Sequence, residues 1–334
     1  MRIWGMVLGG YPRSREARHL LRDVERGLVP PAEASLRLQR VHSEIIGIQK
    51  AAGLPVIVDG MVDWHDIFRP FARSWRNVSV DGLLRYFDNN FFYRIPVFVG
   101  EPDAIEPVLA PRVRDFVELA HPSVLKVVVP GPVTFARLSK NSSGLSGEEL
   151  AVKIASILRQ EVSKAVEAGA GFIQVDEPFL ADIDATRDDA ILAVELFNKI
   201  IKGYEEKASI AVYFNAPSPG VYEAILNVKS RYLSIDVYDT RTRALDLLSA
   251  KGFGDHVPVL GVIDGRRIHD DDIDRIVDDA RRLVDESTEE LVLTTTTWMD
   301  LIPFRYSLRK TILLSRLVEK FAEETDSEAY TIWR

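Results

Sequence analysis

Eight short runs of apolar, largely β-branched residues recur along this chain, most of them followed by a stretch of helical periodicity. No other feature of the sequence restricts its fold so strongly. The runs are residues 2–8, 55–58, 124–129, 172–175, 209–214, 233–236, 258–262 and 291–295. They are apolar on both faces, as buried parallel strands are. Between them, residues 32–52 carry Leu36, Leu38, Val41, Ile45, Ile48 and Ala52 at near-helical spacing. Residues 148–168 do the same with Leu150, Ile154, Ile157, Leu158 and Val162. Strand and helix in alternation imply parallel βαβ units. Eight such units fit an α/β (β/α)8 TIM barrel better than the alternative, an open doubly wound sheet.

One segment breaks the rhythm. Residues 69–99, with Tyr86, Phe87, Phe91, Phe92 and Tyr93, are too many for a simple βα loop. An excursion between strands 2 and 3, lying over the C-terminal mouth, is expected there. No internal repeat or linker is visible, so residues 1–334 read as one domain.

Charge and cysteine content narrow the function. The 42 basic side chains face 50 acidic ones, a net −8, which disfavours general nucleic-acid or membrane-surface binding. Without a cysteine there is neither a disulfide nor a thiolate ligand or nucleophile. No apolar stretch has the form of a signal core or a membrane span, and the expected location is cytoplasmic.

In a barrel the chemistry gathers where the strands end. The residues just past the eight runs are Gly9-Gly10-Tyr11-Pro12-Arg13, Asp59, Pro130-Gly131-Pro132-Val133-Thr134, Asp176-Glu177-Pro178, Asn215, Asp236, Asp264 and Thr294–Thr297. Any one of these acids could simply cap a helix or a turn. Acids at four strand ends together imply a polar pocket, because each would be costly to bury alone.

Several of these segments resemble one family, cobalamin-independent methionine synthase. Gln174-Val175-Asp176-Glu177-Pro178-Phe179-Leu180 looks like the Gln-x-Asp-Glu-Pro-x-Leu segment of both halves of that enzyme, and Gly131-Pro132-Val133-Thr134 like their Gly-Pro-Val-Thr. Three stretches are similar to the N-terminal half. They are residues 85–96, running from Arg85 through Tyr86-Phe87-Asp88; Leu260-Gly261-Val262-Ile263-Asp264-Gly265-Arg266; and Tyr11-Pro12-Arg13 followed by Arg15-Glu16-Ala17-Arg18. The resemblance spans nearly the whole chain in family order. It implies methyl transfer to homocysteine in methionine biosynthesis. It also implies contact of Arg15, Arg18 and Arg85 with the polyglutamate tail of a folate, which guanidinium groups bind in bidentate fashion.

The departures from the family bear on the metal. Its catalytic zinc is held by a His-x-Cys pair, a Glu and a further Cys, where this chain has Tyr213-Phe214-Asn215 and Asp236. The resemblance therefore implies a non-zinc, methyl-donor-binding subunit of a split enzyme, with zinc only on a partner chain of the C-terminal type. The methyl donor is left open among a reduced folate, a methanopterin and a methylcorrinoid. Two alternatives remain: a zinc-independent methyltransferase, and a non-catalytic barrel binding a pterin, tetrapyrrole or corrinoid. The expected site set is Arg13, Arg15, Arg18, Arg85, Asp59, Thr134, Asp176, Glu177, Asn215, Asp236 and Asp264, with no catalytic residue assigned.

Overall fold

The structure is a computed structural model that describes residues 1–87 and 89–333; Asp88, part of the family-like segment, lies outside the described residues. Eight strands run parallel in one curled sheet: β1 (Arg2–Met6), β2 (Val56–Ile57), β3 (Val124–Pro130), β4 (Phe172–Asp176), β5 (Ala208–Val212), β6 (Tyr232–Asp236), β7 (Val257–Ile263) and β8 (Glu290–Thr295). A short β9 (Glu328–Ala329) completes the order β9-β1-β8-β7-β6-β5-β4-β3-β2. Among the eight, strands adjacent in sequence are adjacent in space, except that β1 and β2 come at opposite ends of the eight-strand ladder. This is the order of a TIM-barrel-like fold.

The helices form where local signals agree with burial. Helix Gly147–Glu167 starts at Ser146, whose hydroxyl accepts from Glu149 N while the Glu149 carboxylate accepts from Ser146 N. This reciprocal capping satisfies two amides that a helix start leaves free. The helix then buries Leu150, Ile154, Leu158 and Val162 against the sheet, the stripe that a 3.6-residue period produces. Helix Pro31–Ala51 begins on a proline at its first turn, where no amide hydrogen is needed.

Between β2 and β3 the chain forms an antiparallel pair, Trp75–Arg85 with Phe92–Ala104. Lys140–Asn141 extends this pair as a third strand. Its inner residues Trp75, Tyr86, Tyr93 and Phe98 join the core, whereas Leu83, Leu84 and Phe92 are exposed.

The seam between β1 and β2 is held without ladder pairing among the described residues. Tyr11 N donates to Gly60 O at 2.8 Å across its upper end. At the lower end the chain terminus fills the gap: β9 pairs with Arg2 and Ile3, and Ile332 N donates to Gly53 O at 3.1 Å. In the middle, the buried Lys126 reaches from β3 past the two-residue β2. Its ammonium donates to Val7 O (2.7 Å), Leu8 O (3.0 Å) and Gln174 Oε1 (2.7 Å). These carbonyls follow β1 and have no β2 amides to meet, so the lysine supplies the donors that a longer β2 would have given.

Candidate functional site

Because the strands are parallel, Asp59, Asp176, Asp236 and Asp264 all lie at one edge of the sheet, each just beyond or at the end of its strand. Their surroundings differ. Asp59 accepts from Arg112 Nε at 2.8 Å and from Met61 N, and Arg112 also donates to Asp63 at 2.8 Å. Asp236 accepts from Tyr238 N, Asp239 N and Phe214 N. Asp264 accepts from Arg266 N and Arg267 Nη1. These three carboxylates are committed to turns and ion pairs.

Asp176 sits on the axis of the sheet, fully buried. Its Oδ1 accepts from Gln174 Nε2 (2.7 Å), and its Oδ2 accepts from Tyr213 OH and Trp298 Nε1, both at 3.0 Å. Burial pushes its carboxyl up to about 6, against those three hydrogen bonds and the Lys126 charge. The indole of Trp298 lies against Gly9 and Gly10. A Cβ at Gly9 would sit 2.0 Å from Trp298 Nε1, so the glycine is required for the ring to enter. Trp298 and Tyr213 therefore cover the axial side of the Asp176 carboxyl.

A pH prediction follows. The folded Asp176 holds its proton to about pH 6, whereas an unfolded aspartate loses it near 4. The folded state is thus favoured at low pH, and that advantage is lost as pH rises from about 4 to about 6. The loss is on the order of 3 kcal/mol at 1.36 kcal/mol per pKa unit. Urea unfolding of wild type and Asp176→Asn at pH 4 and pH 7 should show a smaller decline in the variant. Parallel declines would refute the assignment.

Glu177 turns away from the axis. Its carboxylate accepts from Val133 N (3.1 Å) and Thr134 N (2.8 Å) at the start of helix Pro132–Arg137, and burial pushes it up to about 7 against those bonds. A Cβ on Gly131 would lie 1.9 Å from Glu177 Cδ. Thr134 Oγ1 in turn accepts from Phe179 N at 3.2 Å. The two family-like segments, Gly-Pro-Val-Thr and Asp-Glu-Pro, therefore clamp each other. Here Thr134 and Glu177 are structural partners.

The open space lies to one side of the axis. A cavity of about 460 Å3 opens among the loops after β1, β2 and β8, walled by Trp64, Trp298 and Phe91 with Arg13, Arg18 and Asp300 among its polar groups. Arg13 Nε donates to Val62 O at 2.7 Å, which fixes the guanidinium while leaving its terminal nitrogens. His65, also on the wall, is lowered to about 3 by burial and by Arg13, Arg69 and Arg73, and stays neutral. Asp300 is pushed up to about 7 by burial, against the charge of Arg13. Of the expected arginines, Arg13 and Arg18 share this cavity. Arg15 is exposed on helix Arg15–Glu25 and Arg85 is exposed on the antiparallel pair; neither lines it. Asn215 is exposed as well. Reading the strand ends did not single out Lys126, Arg112, Trp298 or Asp300.

Residues 58–288 match the family described as cobalamin-independent synthase, N-terminal domain. The chain belongs to this family. A curated relative, the methionine synthase of Sulfurisphaera tokodaii, is 25% identical over 326 residues, covering 97% of this chain and 94% of its own length. Among solved structures, the B12-independent methionine synthase of Shewanella sp. W3-18-1, in complex with selenomethionine, matches with a TM-score of 0.79 at 16% identity, covering 96% of this chain and 98% of that one. The putative B12-independent methionine synthase of Listeria monocytogenes matches with a TM-score of 0.71 at 17% identity, covering 94% and 96%. At such identities the structural likeness shows the fold.

The family's zinc does not fit the groups present on this synthase-family chain. Among the described residues, no three His, Asp or Glu side chains converge as a metal-binding group. At the strand ends that carry zinc ligands in the resembling family, Tyr213 donates to Asp176, Phe214 adopts φ +83° and Asp236 is consumed by three backbone amides. A tetrahedral site needs ligands converging on one point, which these groups do not offer.

Proposed function

We propose that this chain is the methyl-donor-binding, non-zinc barrel of a split cobalamin-independent methionine synthase. A separate zinc-bearing chain of the C-terminal type would activate homocysteine. One observation carries this reading: the axial position at Asp176 is filled by the protein's own Trp298 and Tyr213, while an open cavity with Arg13 and Arg18 lies beside it. A cavity of that size suits a cofactor-sized donor, and two arginines suit its anionic tail, such as the carboxylates of a reduced folate or the phosphate of a methanopterin or corrinoid. On this reading the sheet closes as a full (β/α)8 barrel across the β1–β2 seam. The antiparallel pair after β2 is then the excursion over the mouth, and the exposed Arg15 and Arg85 serve a longer tail or the partner.

Homocysteine methylation tests it directly. With a zinc-bearing C-terminal-type protein and a reduced folate, the chain should raise turnover strongly, and alone it should give none. Full turnover by the isolated chain, with no added metal, would replace this reading with a zinc-independent methyltransferase. Donor binding with no effect on any such partner would leave a binding protein.

A further inference from the structure

We propose that Asp300 reads the ligand of the open cavity, accepting hydrogen bonds from an N–H edge of a flat heterocycle whose anionic tail lies on Arg13 and Arg18. This rests on the reading of the cavity as the donor site and names the group that recognises the donor's ring.

The commitments of the neighbouring carboxylates single out Asp300. Asp59 pairs with Arg112, and Asp176 meets Gln174, Tyr213 and Trp298. Asp66, also on the cavity wall, accepts from the amides of Phe68, Arg69 and Arg94 and from the Arg69 side chain. Asp300 makes no side-chain hydrogen bond or ion pair within 4 Å among the described residues. It lies where the 460 Å3 cavity adjoins a narrow slot of about 20 Å3 lined by Tyr86, Tyr213 and Phe214. The Tyr86 hydroxyl there is buried beside Tyr213 and meets no strict hydrogen-bond geometry among the described residues. An unpaired carboxylate and a buried hydroxyl side by side on one cavity wall suit a ligand that brings hydrogen-bonding groups of its own.

The remaining walls define the ligand's shape. Trp64 and Trp298 stand 6.3 Å apart between ring centroids and Phe91 is on the same wall, surfaces that favour a flat ring. Arg13 and Arg18 make the cavity bipolar. A carboxylate only accepts hydrogen bonds, so it selects a ring edge rich in N–H donors over one rich in acceptors. The raised titration of Asp300, near 7, agrees with a half-buried carboxyl that no side chain pairs among the described residues.

Fluorescence of the full chain, titrated with 5-methyltetrahydrofolate as monoglutamate and triglutamate, tests the assignment. The ionised fraction of a group titrating near 7 rises about tenfold from pH 6 to pH 8, and apparent affinity should follow it. His65, lowered to about 3, stays neutral over this window. Asp66 is the other wall carboxyl raised by burial, so variants of Asp300 are needed to separate the two. Asp300→Asn should bind at least about tenfold more weakly at pH 8 and lose the pH dependence. Asp300→Ser should do likewise, and melting curves will show that both fold. Wild-type affinity and pH profile in both variants would overturn the role of Asp300 while leaving the donor reading in place. No binding of either probe to the wild type at millimolar concentration would overturn the donor reading and this assignment together.

Discussion

Replacing Lys126 with methionine should cost about 3 kcal/mol or more of stability, because buried acceptors lose their donor at about 1–3 kcal/mol each. Lys126 is 3% exposed, and all three ammonium protons are used: by Val7 O, Leu8 O and Gln174 Oε1. Burial lowers it to about 7, with the charge of Asp176 acting in the opposite direction. Methionine is close in length and apolar, so the change adds little packing strain. It leaves three buried acceptors short of donors, although Leu8 O still receives Gln174 Nε2 at 2.8 Å. Each unsatisfied buried acceptor costs about 1–3 kcal/mol. The position matters because β2 is only Val56–Ile57, so the seam beside it depends on side chains. The measurement is the urea midpoint of Lys126→Met beside Lys251→Met, an exposed lysine paired with Glu223. The second substitution should change stability by less than about 0.5 kcal/mol. If Lys126→Met falls within about 1 kcal/mol of wild type, the lysine does not hold the seam.

The strands were legible because burial on both faces leaves a contiguous apolar run. Observed β4, β6 and β8 begin and end within a residue of the runs read from sequence. The fifth run continues to residue 214 in the sequence, but the strand stops at Val212. Tyr213 turns to Asp176, and Phe214 takes a left-handed backbone, neither of which hydrophobicity records. The acids at one edge could be placed from the strand order alone. Their states could not, because the partners come from far along the chain: Arg112 is 53 residues from Asp59, and Trp298 is 122 from Asp176. Counting acids at strand ends overstates the open chemistry when the neutralising groups arrive from helices and later loops. Asp300 was missed for a simpler reason. It lies three residues past Thr297, where the reading of the eighth strand end stopped, in the loop where such folds carry ligand-contacting groups. Arg13 and Arg18 come together because the first loop and the first helix adjoin. Arg85, by contrast, depends on the long antiparallel pair, whose register sequence periodicity does not fix.

Trp298→Ala should likewise cost about 3–5 kcal/mol, the usual loss for truncating a buried tryptophan, and should join the open cavity to the axis. The ring is 8% exposed and packs on Gly9, Gly10 and Trp64, whose own second neighbour is Phe71 at 5.7 Å. The glycines cannot collapse into the space, since they have no side chains to move, so most of the indole volume should persist as a void. Asp176 would keep Gln174 and Tyr213 but lose one donor, and its second oxygen would face the new opening. Such a void should take up free indole, and the bound indole could restore the lost N–H to Asp176. At ten times its dissociation constant, indole should return about 1.4 kcal/mol to the variant. The check is thermal melting of wild type and Trp298→Ala with and without indole. A rise in melting temperature confined to the variant would establish that this tryptophan is what separates Asp176 from the open cavity. An equal rise in both proteins would mean that indole binds elsewhere. A variant that is destabilised but unresponsive would mean that the loops close over the gap, and the axis would then be sealed by more than one side chain.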